Sequence, residues 1–275
     1  MRSIVIIAAK EMRDGLRNRW VIATTALLAA LALTLAFMGA APTGSVGVGA
    51  LNVTIVSLSS LSIFLVPLIA LLLSYDAIVG EAERGTLSLL LAYPVRRWQV
   101  IVGKFAGHLG ILTLATVVGY GVAGLGLEFA GGGDPGALEA FALMVASSAM
   151  LGGVFIAIGY FVSALVKDRG AAGGVAIGVW LFFVLLYDMA LLGALVADQG
   201  KTITTGAVNL MLLFNPADVY RVLNLTASQG VSGYAGVAGL GARAGLPPGL
   251  LIGALILWIV APLAGAVAAF ARRPV

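Results

Sequence analysis

A chain of 275 residues with 61% hydrophobic and 10% charged positions stands well above the roughly 45–50% apolar content of soluble domains, and a mean hydropathy of +1.08 excludes a water-soluble globule. The net charge of +4 asks for no nucleic-acid partner, because the basic residues stand at the ends of apolar runs, where membrane proteins keep them. No cysteine is present, which excludes disulfides, thiolate metal sites and thiol nucleophiles.

Residues 2–19 open the chain. On a helix, Val5, Ala8, Met12 and Leu16 share one face, while Lys10, Arg13, Asp14 and Arg17 share the opposite one. A basic amphipathic helix ahead of a span is expected to lie in the plane of the membrane interface, against lipid. A signal peptide cut near Gly39-Ala40-Ala41 is the alternative; the length of the segment and its Glu11 and Asp14 argue against it. Span one then runs from Trp20 to about Ala40, an uncharged loop from Pro42 to Gly49, and span two from about Val53 to Ser74. Span three covers about Phe105 to Leu127. Asp134 before Pro135 reads as an N-cap with proline at the first helical position, opening span four from about Leu138 to Leu165. Lys167-Asp168-Arg169 turns the chain into span five, about Ala171 to Val196. Residues 197–247 are then expected outside the membrane as a periplasmic segment, with a short helix starting at Asn215-Pro216-Ala217-Asp218. Span six runs from about Gly249 to Phe270. Each apolar run of about twenty residues suffices to cross a hydrocarbon core of roughly 30 Å.

The predicted fold class is therefore an all-α polytopic membrane protein, one transmembrane domain over 1–275 with six transmembrane helices. Placing both termini in the cytoplasm puts thirteen basic residues inside and leaves three, Lys201, Arg221 and Arg243, outside. A five-span count would put one terminal basic cluster on the wrong side.

Small residues mark close helix contacts in lipid. Gly170, Gly174 and Gly178 recur at four-residue spacing, Ser148 and Gly152 with Gly159 and Ser163 form a second stripe, and Gly103 and Gly107 a third. Packing within one subunit is the plain reading of each, a subunit interface the sharper one. Thr54, Ser57 and Ser60 share a face of span two, and either line a pathway or bond back to their own helix. Asp188, late in span five, is a pathway candidate because an acid inside a span is expensive; the outer interface is its alternative. Asn215, Asp218 and Arg221 are expected to face a periplasmic partner. The seven methionines form no cluster and His108 is the only histidine, so no metal site is expected.

Charge concentrates between spans two and three, in residues 76–98. Glu81 to Arg84 reads as one short helix, Gly85 as the left-handed residue that stops it, and Thr86 as the cap of a second helix, Leu87 to Ala92. Pro94 breaks the chain again before Arg96-Arg97. Two short helices joined at a kink make a rigid charged knob.

The run Gly80-Glu81-Ala82-Glu83-Arg84-Gly85-Thr86-Leu87, continuing through Tyr93-Pro94-Val95-Arg96-Arg97 to Gly103-Lys104, closely resembles the E-x-E-x-G-T-L…L-P-x-x-R…G-K stretch of ABC-2-type ABC transporter permeases. Lys10-Glu11 in the first helix and the six spans match as well. Within that family, Phe214-Asn215-Pro216-Ala217-Asp218-Val219-Tyr220-Arg221 resembles the permeases of the nitrous oxide reductase maturation system. The resemblance implies a dimer of this chain with two copies of a cytoplasmic ATPase, ATP and Mg²⁺ being bound there and no cofactor here. It implies that Glu81, Glu83, Arg84, Gly85 and Thr86 form the ATPase-coupling helix, that a periplasmic protein docks on the outer segment, and that the machine serves the copper-sulfur site of nitrous oxide reductase. No G-x-x-x-x-G-K-[ST] occurs, so the chain has no phosphate-cradling loop and is not expected to be an enzyme. The competing readings are an exporter of a drug, lipid or polysaccharide, and an ion-driven secondary transporter, for which no matching halves or buried acid-base set is visible.

Overall fold

The computed structural model describes residues 2–17, 19–38, 50–129, 137–199, 201–227 and 245–273. The loop 42–49 and the Asp134-Pro135 cap lie outside these. All elements among the described residues are helical: α1 (Arg2–Leu16), α2 (Arg19–Met38), α3 (Ala50–Ser74), α4 (Val79–Glu83), α5 (Thr86–Leu91), α6 (Arg97–Phe129), α7 (Ala137–Leu165), α8 (Arg169–Leu181), a π-helical turn (Phe182–Leu186), α9 (Tyr187–Asp198), α10 (Thr205–Leu213), α11 (Pro216–Ala227) and α12 (Pro248–Arg272). The expected spans map onto α2, α3, α6, α7, α8–α9 and α12. Five of them are long and apolar enough to cross a bilayer by themselves, and a sixth span is reached if α1 and the helix after it, which meet at 68°, count as one bent element.

Helix α7 is the hub. Leu151, Val154, Phe155, Ile156, Ala157 and Tyr160 on it are all fully buried, between α3, α6, α11 and α12. The small residues earn this closeness sterically. A Cβ on Gly152 would collide with Leu112 of α6, and one on Gly159 with Ser74 of α3. Gly103 and Gly107 do the same for α1, where an added Cβ would come within 2.9 Å of Ile7 Cβ and 2.6 Å of Glu11 Cβ. The face of α1 that meets α6 is thus Ile7, Ala8 and Glu11, and the predicted apolar residues Val5, Met12 and Leu16 stay exposed. Among the described residues, Gly174 and Gly178 have no neighbour within 4 Å of a built Cβ, and Gly170 meets only Asp168 Oδ1 at 3.3 Å.

The segment after span five departs from expectation. Helices α10 and α11 do not stand clear of the spans but form a hairpin that dips between them. The Asn215 side chain at its tip donates to Phe183 O at 3.0 Å, fifteen residues before the end of α9 at Asp198 and so about 22 Å along the helix. A turn can sit this deep only if its backbone ends are satisfied by protein. The last carbonyls of α10 receive Tyr187 Oη on Met211 O at 2.6 Å and Trp258 Nε1 on Leu213 O at 3.0 Å. At the start of α11, Pro216 has no N–H to satisfy, and Asn215 Oδ1 accepts from Ala217 N at 3.0 Å. Tyr220, fully buried, then lies 2.9 Å from Ser148 Oγ of α7.

Candidate functional site

At the end of the bundle where α3 stops and α6 begins, the charged loop is tied down by ion pairs. Lys104, 4% exposed, holds Glu11 Oε1 at 2.7 Å and Glu81 Oε1 at 2.8 Å, linking α1, α4 and α6 through one ammonium. His108 Nε2 lies 3.6 Å from Glu11 Oε2, and its Nδ1 lies 2.9 Å from the hydroxyl of Tyr160 on α7. Asp76 pairs with Arg169 at 2.9 Å. Glu83 Oε1 accepts from the backbone N–H of Arg169 at 2.7 Å, where a carboxylate caps free donors and meets the positive end of the α8 dipole. Behind α4, Ser163 Oγ of α7 accepts from Ile78 N at 3.0 Å and Val79 N at 3.1 Å. The loop is therefore one body with the ends of four helices.

Gly85 has φ +70°, the left-handed conformation predicted for it. Thr86 differs from its predicted role. It is the first residue of α5, and its hydroxyl turns back to donate to Glu81 O at 3.3 Å, closing the turn before it instead of capping the helix after it. Arg84 folds back over Gly80, its Nη1 3.5 Å from where a Cβ on that glycine would stand. Glu81 faces Lys104 with its side chain 16% exposed. The most exposed large apolar side chains of the knob are Leu89 and Tyr93, 68% and 69% exposed, beside Glu83, Arg84, Gly85 and Thr86, which are exposed as well. Sequence reasoning missed both because it followed the charges. The available signal was two apolar residues one helical turn apart on a loop that faces water.

A second polar cluster lies where the hairpin meets the π-helical turn. Arg221 Nη2 pairs with Asp188 Oδ2 and Arg221 Nη1 with Asp218 Oδ1, both at 2.8 Å, and Asn215 Nδ2 donates to Asp218 Oδ2 at 2.9 Å. Asn215 and Asp218 are 0% and 1% exposed, so they are not the outward contact face expected of them, and Arg221 points into the bundle with them. Asp188, a pathway candidate with the outer interface as its alternative, is their partner, and a part-buried acid-base set exists that the sequence did not display. Of the expected pathway hydroxyls, Ser60 donates to Val56 O at 2.9 Å within its own helix, while the Thr54 side chain lies outside the described residues.

A polytopic helical membrane subunit with an ion-paired charged loop at one end, and no phosphate-cradling loop of its own, is built like the permease component of a transporter powered by another polypeptide. Residues 5–275 match the model of the ABC-2 family transporter protein, and the chain belongs to that family. It is 46% identical over 275 residues, 99% of each chain, to the probable ABC transporter permease protein NosY of Stutzerimonas stutzeri. It is also 46% identical over 271 residues, 98% of each chain, to the protein of the same name in Pseudomonas aeruginosa. The chain is a permease subunit of an ABC transporter and a multi-pass protein of the bacterial inner membrane.

Proposed function

We propose that this permease relays the motion of a separate cytoplasmic ATPase through one helix to the hairpin on the far side. The observation that carries this reading is the reach of the helix Arg169–Asp198. Its first turn holds Asp76 and Glu83 of the charged loop, and its middle holds Asn215 and Arg221 of the hairpin. A push on the loop displaces α8 as a body, and the π-helical turn between α8 and α9 is where the hydrogen-bond ladder is interrupted and can yield.

In this reading the loop end is cytoplasmic. Thirteen of the sixteen basic residues support that orientation, and Arg221, one of the three exceptions, has its charge matched by Asp188 and Asp218. The ATPase, binding ATP and Mg²⁺, grips Glu83, Gly85 and Thr86 with Leu89 and Tyr93 filling its cleft. Two copies of each subunit form the complex, and a periplasmic protein receives the motion outside. The likeness of Phe214–Arg221 to permeases of nitrous oxide reductase maturation, together with the NosY relatives, supports service to the copper-sulfur site of that enzyme. With no cysteine and no methionine cluster, the chain is assigned motion, or passage of a sulfur species, in preference to bound copper.

Purification of the tagged protein from native membranes tests this. The expected result is recovery of a soluble ATPase and a periplasmic protein together, with Glu83→Lys losing the first and keeping the second. Recovery of the ATPase alone would leave a simple exporter, and recovery of no ATPase would end the proposal.

A further inference from the structure

Among the described residues at the loop end, some cations are matched by carboxylates and others are not. Lys10, Lys104 and Arg169 each have a carboxylate within 4 Å. Two of the unmatched cations, Lys167 and Arg272, stand together over an apolar groove. This groove of about 760 Å³ runs between α7 and α12, with Phe161, Leu165, Gly265 and Ala268 among its apolar walls and Lys167, Arg272 and Arg273 at its mouth; no acidic residue lines it. Lys167 and Arg272 are exposed, and among the described residues neither has a carboxylate within 4 Å.

The ends of α7 and α12 both point their carbonyls at this mouth, and helix C-termini repel anions. Two arginines offset that repulsion. Arg273 donates to Ser163 O at 3.0 Å and Ala164 O at 3.4 Å, while Arg97 donates to Phe270 O at 2.9 Å and Arg273 O at 2.6 Å. Lys167 and Arg272 are left as unmatched positive charge. The groove below them exists because Gly265 lets the Phe161 ring lie flat on α12, where an added Cβ would stand 2.9 Å from the ring. Gly265 is seven residues inside Arg272, about 10 Å along the helix, at the depth of acyl chains.

We propose that this groove holds one anionic phospholipid, its phosphate between Lys167 and Arg272 and one acyl chain along Phe161, Leu165 and Ala268. Charge complementarity selects the occupant: an apolar slot closed by two unmatched cations fits a chain that ends in an anion. The site rests on the chain crossing a bilayer and is independent of how the ATPase is coupled.

Native mass spectrometry of the full chain, titrated with phosphatidylglycerol, with phosphatidylcholine of the same acyl chains and with glycerophosphate, tests the site. The expected result is one tightly held phosphatidylglycerol. Lys167→Gln with Arg272→Gln weakens it about tenfold or more and leaves phosphatidylcholine unchanged. Ala268→Phe, on an exposed position, fills the slot and weakens both lipids, and Arg17→Gln on α1 changes neither. Four results overturn the site. The double variant could bind phosphatidylglycerol like the parent, or Arg17→Gln could lose as much as the double variant, which would mean diffuse charge. Glycerophosphate could compete as well as the lipid, which would mean an ion site without a chain slot. Ala268→Phe could dissociate a dimer with lipid binding intact, which would mean that a second copy of the chain covers the groove.

Discussion

The two charged clusters each set one central cation against two carboxylates and differ in what they join. At the loop end, Lys104 gathers Glu11 and Glu81 from α1 and α4, residues 93 and 23 positions away in the chain. In the hairpin, Arg221 takes Asp218 from its own helix, three residues away, and reaches across only to Asp188. The first cluster fastens separate elements into one body, so its removal releases several helices. The second stiffens a short helix and ties it at a single point to α9. An ion pair is worth what it holds in place and what its loss leaves unpaired, and exposed pairs are worth little of either.

That contrast can be broken experimentally. The largest effect is expected for Lys104→Met, which among the described residues leaves Glu81 without a cation within 4 Å and Glu11 with only the exposed Lys10 at 3.7 Å. A loss of about 3–5 kcal/mol is expected, read as a fall in thermal stability in detergent; a variant as stable as the parent would show that the cluster does not fasten the loop. Arg221→Met should cost less, about 2–3 kcal/mol, because Arg221 and Asp188 have side chains 23% and 26% exposed. Combining it with Asp188→Asn and Asp218→Asn should restore most of the loss, and failure of that rescue would mean that Arg221 acts by packing. Gly107→Val drives a side chain into Glu11 and Ala8 O, and about 1–3 kcal/mol is expected. Its specific signature is increased labelling of a cysteine placed at Ile7, which is 8% exposed; unchanged labelling would mean that α1 is held without the glycines. Smallest of all, Lys10→Gln should stay within about 0.5 kcal/mol, since the Lys10 side chain is 62% exposed and its pairs with Asp14 and Glu11, at 3.4 and 3.7 Å, are longer than those of Lys104. A larger effect would contradict the ranking by burial.

The loop was the most legible part of the site. Gly85 and the break between α4 and α5 follow from local backbone chemistry, and local chemistry is what adjacent residues reveal. Glu81 and Glu83 were recognisable as important, but their partners were not: Glu81 turns inward to Lys104, and the exposed Glu83 sets one carboxylate oxygen on the open N-terminus of α8. The hairpin was the least legible. Helices of nine and twelve residues are too short to cross a bilayer, so a reading by length places them outside it. What brings them between the spans is the set of side-chain bonds from Tyr187, Trp258 and Asn215, and the two that satisfy the end of α10, Tyr187 and Trp258, stand 24 and 45 residues from the carbonyls they meet.

By itself the sequence determined that this is a helical membrane protein, where its spans lie, where the charged loop stops and turns, and which family it joins. Those features depend on hydropathy, helix periodicity and glycine's freedom at positive φ, all of which act over a few residues. Only the tertiary structure decided that α1 is pinned to α6 through Lys104, that the hairpin descends between the spans, and that Asp188 meets Arg221. Such pairings depend on which polar groups remain unsatisfied once helices pack in a medium that offers them no water, and that is settled in three dimensions.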